Sequence, residues 1–121
     1  MIRTIVFASL LSLTGTHAFA AGDAAAGEKY FNRICKACHS VQPGKNGVGP
    51  SLAGVVGRKA GTAAGFKFSP SYGASGATWN AQTLDTYLTD PRKMMKGSRM
   101  ITKVAAPADR ANVIAYLATL K

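Results

Sequence analysis

Several patterns that would place this chain in another structural class are missing from it. No stretch alternates apolar and polar residues for long enough to indicate a β-strand, and no segment is repeated. The one pronounced apolar run, residues 5–13, is too short to span a bilayer. The 121 residues are enough for one domain. These absences exclude β-sheet and repeat architectures and leave a small all-α domain.

The first twenty residues have the composition of a secretory signal peptide. Arg3 provides a positive start, residues 5–13 form the apolar segment, and residues 18–20 (Ala-Phe-Ala) match the small-x-small pattern of a cleavage site. An N-terminal membrane anchor is the alternative, which the short apolar run disfavours. We therefore predict a cleaved signal peptide over residues 1–20, a mature domain over residues 21–121, and a periplasmic location.

Few metal-binding side chains remain after this cleavage. The mature chain has one histidine, His39, and two cysteines, Cys35 and Cys38. A zinc site needs four ligands, usually cysteine and histidine in pairs, so the set is incomplete. Large apolar side chains are also few, and such a lean core is marginal by surface-to-volume scaling. We infer that something other than side chains fills the centre of the domain.

Three helices are predicted from capping residues and apolar spacing. The first covers residues 24–37 and follows Asp23, a good N-cap. The second follows Asn80 and ends before Pro91, because a residue that precedes proline is disfavoured in the helical region. The third begins at Pro107, since proline is well suited to the first turn of a helix.

Long loops connect these helices. Residues 42–76 are dense in glycine and proline but keep apolar and aromatic residues, which a solvated linker would not. Loops of this length in a compact domain are usually functional. Residues 92–103 form a second, basic loop. We therefore predict a small fold of three main helices with long loops wrapped around a central group.

Cys35, Cys38 and His39 form the C-x-x-C-H sequence by which haem is covalently attached. Two thiols three residues apart near a helix end lie on nearly the same face, where they can react with the two vinyl groups on one side of a porphyrin. His39 can then bind the iron. A thioredoxin-like site would follow a strand. A structural disulfide would leave His39 unexplained and the lean core unfilled.

The number of histidines limits the candidate ligands for the second axial position of the iron. A single histidine excludes ligation by two histidines, so methionine, lysine or an open site remains. Met100 lies 61 residues after His39 in a loop, from which its side chain can reach the opposite face of a disc. Met94 and Met95 are closer to a helix end and are interpreted as core or surface filler.

The mature chain resembles class I cytochromes c, of the mitochondrial and bacterial c2-like kind, over nearly its whole length. The C-x-x-C-H motif alone specifies only haem, whereas the ordered series of matches specifies this family. The matching stretches are Gly22-Asp23, Gly27, Phe31, Cys35-Lys36-Ala37-Cys38-His39, Gly49-Pro50-Ser51-Leu52, Gly57-Arg58-Lys59-Ala60-Gly61, Gly65-Phe66, Thr78-Trp79, Leu84, Tyr87-Leu88, Pro91-Arg92-Lys93, Gly97-Ser98-Arg99-Met100, Asp109-Arg110 and Ile114-Ala115-Tyr116-Leu117.

The resemblance implies one covalent haem c, attached at Cys35 and Cys38, with His39 and Met100 as its axial ligands. It further implies a haem environment whose members each have a role. Pro50 would accept a hydrogen bond from the imidazole, Arg58 and Trp79 would lie near a buried propionate, Tyr87 would lie beside the Met100 sulfur, and Ser98 would brace that loop. Outside this environment, Gly27 and Phe31 would meet Tyr116 where the first and last helices cross.

Three positions depart from the usual family pattern. The part of the loop over residues 92–103 that carries Met100 is called the methionine loop. In it, Lys96 replaces a proline before Gly97, and Thr102 replaces a phenylalanine two residues after Met100. Both changes bear on the flexibility and docking surface of that loop. Phe68 replaces a frequent tyrosine, so a hydrogen bond to the propionate is missing or is made by another group, such as Lys67.

The resemblance implies an electron carrier rather than an enzyme. Iron held by both His39 and Met100 has no vacant position, so it can only change its oxidation state. Thioether ligation and burial both favour the ferrous state and raise the reduction potential. The alternative is a haem c peroxidase or small-ligand sensor with an open sixth site, which requires that Met100 does not bind.

Basic residues indicate the kind of partner. Only Arg3 is lost with the signal peptide, so 14 basic and 5 acidic residues leave the mature chain at +9. A cluster around the predicted ligand would steer the protein to acidic faces of redox proteins. Candidates are a cytochrome bc1-type reductase, a terminal oxidase, a photosynthetic reaction centre or a soluble reductase. We expect no nucleic acid, no permanent membrane anchor and a monomer. The cluster consists of Arg92, Lys93, Lys96, Arg99 and Lys103.

Overall fold

The computed structural model describes residues 22–121, and the predicted signal peptide lies outside this range. The described chain is helical, and its one β-bridge pairs Lys59 with Thr78. None of its helices has the length and apolarity needed to cross a membrane. The all-α prediction is therefore confirmed. The helices are α1 (Ala24–Ile34), α2 (Pro70–Ala74), α3 (Ala81–Thr89), α4 (Pro91–Met94) and α5 (Pro107–Leu117).

Helix α1 begins as predicted, at the residue after Asp23. The Asp23 carboxylate accepts hydrogen bonds from the backbone N–H groups of Ala25 and Ala26, at 2.9 and 3.3 Å. The α-helix ends earlier than the predicted residue 37, because the chain tightens into a 3-10 turn over Cys35–Ala37. In that turn the Cys38 N–H bonds to the carbonyl of Cys35 at 3.1 Å.

Helices α1 and α5 cross in close contact. A Cβ atom on Gly27 would lie 1.9 Å from the carbonyl oxygen of Asn112, so only glycine permits this approach. One turn later, the rings of Phe31 and Tyr116 pack with their centroids 5.4 Å apart. The crossing predicted for these residues is therefore present, and it fixes the position of the 3-10 turn that follows α1.

Helix α3 is fixed at its start and along its length. Asn80 and Thr83 form a capping box, in which each side chain accepts the other residue's backbone N–H at 2.9 Å. Asp85 accepts a hydrogen bond from Nε of Arg110 on α5 at 2.7 Å. The Arg110 side chain is only 12% exposed, so this ion pair joins α3 to α5 at a largely buried point.

Two segments predicted as loops contain short helices. In each case proline occupies the first turn: Pro70 begins α2 within residues 42–76, and Pro91 begins α4 at the edge of residues 92–103. The same Asp90-Pro91 pair that ends α3 starts the next helix, because Asp90 caps α4 while Pro91 needs no hydrogen-bonding partner there. The prediction of an uninterrupted basic loop was wrong at this end.

Candidate functional site

The four predicted haem-binding residues line one cavity. Cys35, Cys38, His39 and Met100 meet there, although 61 residues separate the histidine from the methionine. Every predicted member of the haem environment except Ser98 also contributes to the wall. The remaining lining is mainly apolar and comes from α1, α3, α5 and the loops, including Phe31, Leu52, Val55, Leu84, Leu88, Val104, Val113 and Leu117.

The two cysteines lie at the 3-10 turn and are not bonded to each other. Cys35 is half-buried and Cys38 is exposed. Burial, and secondarily the neighbouring Cys38, raises the pKa of Cys35 to about 11. Reactive redox cysteines instead have lowered pKa values. The turn therefore presents two thiols to one cavity, and Cys35 lacks the electrostatic environment of a reactive redox cysteine.

His39 is held by the segment that follows the C-x-x-C-H motif. Its Nδ1 lies 2.7 Å from the carbonyl oxygen of Pro50, which can only accept, so Nδ1 carries the proton. Burial lowers the pKa of His39 and outweighs the opposing effect of this hydrogen bond. The imidazole is therefore neutral, and the lone pair on Nε2 is available to a metal.

Gly49 makes room for this imidazole. A Cβ atom on Gly49 would lie 2.4 Å from Cε1 and 2.7 Å from Nδ1 of His39. Real Cβ atoms essentially never approach so closely. The Gly49-Pro50 pair therefore supplies both the contact surface for the ring and the acceptor for its N–H.

Met100 is anchored at both its sulfur and its backbone. The hydroxyl of Tyr87 donates to Sδ at 3.4 Å. The Met100 N–H donates to Oγ of Ser98 at 3.1 Å. Ser98 is only 1% exposed, so Tyr87 and the buried Ser98 contact Met100 at its sulfur and at its backbone, respectively.

The start of helix α2 is hydrogen-bonded to the methionine loop, and sequence reasoning missed this helix. Ser69 donates to the carbonyl of Gly97 at 2.8 Å, and Ser71 donates to the carbonyl of Lys96 at 2.7 Å. These bonds hold the loop where the usual family proline is replaced by Lys96. The available signal was the Ser-Pro pair at the start of α2, because proline is frequent in a first helical turn.

Arg58 and Trp79 lie on neighbouring segments of the cavity wall. The backbone N–H of Trp79 donates to the carbonyl of Arg58 at 2.9 Å, beside the bridge between Lys59 and Thr78. The Arg58 guanidinium donates to the carbonyls of Ser51 and Ala53, at 3.0 and 3.3 Å. Trp79 is buried and packs on Tyr87 with ring centroids 4.9 Å apart. The structure thus brings this predicted pair together.

Comparisons with known proteins agree with this arrangement. A sequence model of the cytochrome c family matches residues 24–121. Cytochrome c2 iso-2 of Magnetospirillum fulvum is 60% identical over 88 residues, which cover 72% of this chain and 92% of the relative. This chain belongs to the cytochrome c family. Two solved structures align with this cytochrome c over most of its length. Cytochrome cH from Methylobacterium extorquens aligns with a TM-score of 0.74 and 49% identity, and the alignment covers 81% of this chain and 99% of that one. Ferricytochrome c2 from Rhodopseudomonas palustris aligns with a TM-score of 0.73 and 45% identity, and the alignment covers 82% of this chain and 99% of that one.

As a class I cytochrome c, the protein carries one covalently attached haem c and transfers electrons; it is not an enzyme. The residues present fit this group. Two unpaired thiols and a neutral imidazole face a cavity with a mainly apolar wall, which also includes the thioether of Met100. The cavity also accounts for the lean core, because the haem completes a centre that the side chains leave open.

The other two methionines of the loop region have different environments. Met95 is fully buried, at 0% exposure, and belongs to the core cluster. Met94 is partly buried against the same cluster. Neither residue lines the cavity wall, in keeping with their interpretation as filler.

The side chains of the basic cluster of this cytochrome c are exposed, but they differ in the contacts that they make. Lys103 pairs with Asp90 at 3.2 Å, an acid just outside the cluster that sequence reasoning did not consider. Arg92 donates to the carbonyl of Ser98 at 3.2 Å. Arg99 donates to the carbonyl of Lys67 and lies over the ring of Phe66. Lys93 and Lys96 are exposed as well.

Proposed function

We propose that this cytochrome c is a periplasmic one-electron carrier whose haem is attached at Cys35 and Cys38 and ligated by His39 and Met100. The observation that carries the proposal is that both thiols, the imidazole and the thioether share one cavity wall. When bound, the haem iron supplies a reversible one-electron change between its ferric and ferrous states. The protein supplies the attachment, the orientation and the exclusion of other ligands.

His39 and Met100 are suited to their proposed roles by their hydrogen bonds. The Pro50 carbonyl fixes the imidazole ring and increases its basicity, as outer partners of metal-binding histidines do. Tyr87 and Ser98 hold the sulfur and the backbone of Met100. Both ligands are thus prepared before any change in oxidation state, so little rearrangement accompanies electron transfer.

Arg58 and Trp79 are proposed to lie near a haem propionate. Both line the cavity, and the hydrogen bond between their backbones keeps the two segments together. The guanidinium would offset the charge of a carboxylate in this partly buried region. The proposed hydrogen bond from Lys67 to a propionate remains a prediction, since the carbonyl of Lys67 is engaged with Arg99 while its side chain is exposed.

Carbon monoxide distinguishes this proposal from a peroxidase or sensor with an open sixth site. If Met100 occupies the second axial position, the ferrous protein at neutral pH shows almost no spectral change on exposure to carbon monoxide. An immediate and complete change would instead indicate an open site and support the alternative. Met95→Leu controls for a general effect of replacing a methionine near Met100, because Met95 does not line the cavity.

Export is proposed from the predicted signal peptide over residues 1–20. A haem-loaded preparation from the periplasmic fraction is expected to begin at residue 21, within one residue, and to have the mass of that chain plus one haem. A mass that includes residues 1–20 would contradict the cleavage. Mutation of Ala18 and Ala20 to bulky residues should block processing, because signal peptidase accepts small residues there.

The docking surface is proposed at the cavity edge near Met100. Ile101 and Val48 both line the cavity and are 64% and 79% exposed, so an apolar edge is available to a partner. The neighbouring basic cluster would orient this edge toward an acidic redox protein. A cytochrome bc1-type reductase, a terminal oxidase, a reaction centre or a soluble reductase could present such a face.

Salt dependence tests this docking proposal. The second-order rate of electron transfer with an acidic redox protein should fall as ionic strength rises, because salt screens the attraction. Lys96→Glu should lower the rate at low salt more than Lys29→Glu, which makes the same charge change on α1. Equal effects of the two substitutions, or a rate that is independent of salt, would contradict the assignment of this surface.

A further inference from the structure

Three buried hydroxyl groups connect the backbone of Met100 to its own sulfur. The Met100 N–H donates to Oγ of Ser98 at 3.1 Å. Oγ of Ser98 lies 2.6 Å from the hydroxyl of Tyr72, which lies 2.7 Å from the hydroxyl of Tyr87. The Tyr87 hydroxyl in turn lies 3.4 Å from Sδ of Met100. The bonds form a closed circuit that begins and ends on one residue.

Tyr72 is the centre of this circuit. It comes from α2, while Tyr87 comes from α3 and Ser98 from the methionine loop. All three residues are buried, with exposures of 8%, 9% and 1% respectively. Water therefore competes little for these hydroxyls, and each proton must be shared within the circuit. Removal of the central hydroxyl would break the connection between the other two.

Proton counting allows two directions around the circuit. In one, Ser98 donates to Tyr72, Tyr72 donates to Tyr87, and Tyr87 donates to the sulfur. In the other, Tyr87 donates to Tyr72, Tyr72 donates to Ser98, and Ser98 donates to the carbonyl of Met100. That last contact measures 3.2 Å, beyond the usual range of about 2.5–3.0 Å for O–H···O bonds. The 3.4 Å contact to the larger sulfur atom is comfortable, so the first direction is favoured.

We propose that Tyr72 is a positioning residue for electron transfer, which directs the Tyr87 proton onto the sulfur of Met100. Because Tyr72 donates to the Tyr87 oxygen, that oxygen cannot offer its own proton to Tyr72 and must aim it at Sδ. A chain of hydroxyls in which each donates to the next also polarises its members, so the terminal donor is strengthened. This inference rests on the proposed ligation by Met100.

The direction of the circuit determines its effect on the reduction potential. A proton aimed at the sulfur withdraws electron density from it and makes it a weaker donor to ferric iron. Its positive end also favours the more electron-rich ferrous state. Loss of the Tyr72 hydroxyl should weaken this bond and lower the reduction potential. The ferric protein should then hold Met100 more tightly against an external ligand.

The experiment compares single and double variants of the haem-loaded protein. Tyr72→Phe keeps the ring and removes only the hydroxyl. Tyr116→Phe is the matched control, since it removes a tyrosine hydroxyl from the crossing of α1 and α5, outside the circuit. Tyr87→Phe provides the background in which Tyr72 has lost the residue it acts through. The measurements are the reduction potential and the affinity of the ferric protein for imidazole.

We expect Tyr72→Phe to lower the potential and to reduce imidazole affinity by up to about tenfold, which corresponds to the net value of one hydrogen bond. Tyr116→Phe should change neither quantity. In the Tyr87→Phe background, Tyr72→Phe should produce no further shift in potential. A merely structural role would loosen the methionine loop and raise imidazole affinity, which is the opposite sign.

Besides a raised imidazole affinity in Tyr72→Phe, three results would overturn the proposal. One is an unchanged or raised potential in Tyr72→Phe, which would mean that the protons run the other way or do not reach the sulfur. Another is an undiminished effect of Tyr72→Phe in the Tyr87→Phe background. The third is a parent protein whose ferric spectrum lacks the weak long-wavelength band of methionine ligation. Only that third result would also remove the proposed function, so the two failures can be told apart.

Discussion

Replacement of Gly49 by alanine tests how the proposed ligand His39 is positioned. The new Cβ atom would lie 2.4 Å from Cε1 of the imidazole, whereas ordinary van der Waals contact begins near 3.4 Å. The ring or the backbone must therefore move by about 1 Å to restore ordinary contact. The hydrogen bond from Nδ1 to Pro50 starts at 2.7 Å and leaves the normal range beyond about 3.2 Å. A shift of this size is enough to break it.

The expected loss of stability follows from these two effects. Overpacking costs about 1–3 kcal/mol, and loss of the hydrogen bond costs about 0.5–1.5 kcal/mol. Together they should lower the free energy of unfolding of Gly49→Ala by about 1.5–4.5 kcal/mol. For a domain of this size, the smaller value corresponds to a decrease in melting temperature of about 6 °C or more.

Guanidinium unfolding of the haem-loaded protein measures this change, and Gly73→Ala is its matched control. A Cβ atom on Gly73 has nothing within 4 Å. Because this residue lies in α2, alanine there should be neutral or stabilising by up to about 1 kcal/mol. Equal stability of the two variants, with unchanged ligation of the iron by His39, would refute the role given to Gly49.

Three further substitutions extend the account. Met95→Ala should lower the free energy of unfolding by about 2–5 kcal/mol, as expected for a buried side chain, and leave the spectrum of the iron ligands unchanged; loss of the methionine band would show that the wrong methionine was assigned. The pKa of Asp90 lies below its ordinary value, chiefly because Lys103 donates a hydrogen bond to the carboxylate. The associated stability is present above the unfolded pKa of about 4 and is lost as pH falls through the lower folded pKa, so unfolding curves of Asp90→Asn should lose less stability between about pH 4 and 2; an unchanged loss would contradict the pairing. Ser71→Ala removes a hydrogen bond to the carbonyl of Lys96 and should loosen the methionine loop, with a rise in imidazole affinity of up to about tenfold; unchanged affinity would show that α2 does not hold the loop.

The parts of the fold that depend on local sequence could be predicted from it. Asp23 and Asn80 cap helices through side chains that bond to backbone groups two or three residues away, so the signal lies within a few positions. The same holds for the C-x-x-C-H motif. The C-terminal end of α1 was less predictable, since the change from an α-helix to a 3-10 turn at Cys35 alters the hydrogen-bond partner by a single residue.

Short helices were harder because their signals are ambiguous. Pro70 and Pro91 follow residues that suit turns, and a proline after such a residue equally indicates the end of one helix or the first turn of another. In this chain both start helices. The choice depends on tertiary contacts, such as the bonds from Ser69 and Ser71 to the methionine loop, about 25 residues further along the chain.

Tyr72 could not have been assigned to the site from the sequence alone. Its partners Tyr87 and Ser98 are 15 and 26 residues away, and nothing in the spacing indicates that three hydroxyls meet. Tyr87 and Ser98 were reached only through the family resemblance. Phe68, which lacks the hydroxyl frequent in the family, packs against Tyr72 with ring centroids 5.4 Å apart.

The ferric absorption spectrum of the parent protein and of Met100→Ala tests the central claim most directly. The account predicts a weak long-wavelength band in the parent, its loss in Met100→Ala, a lower reduction potential in that variant, and ready binding of imidazole or cyanide. A parent without this band, or a Met100→Ala protein whose spectrum, potential and ligand binding match the parent, would contradict the claim that His39 and Met100 together close the iron to all but electrons.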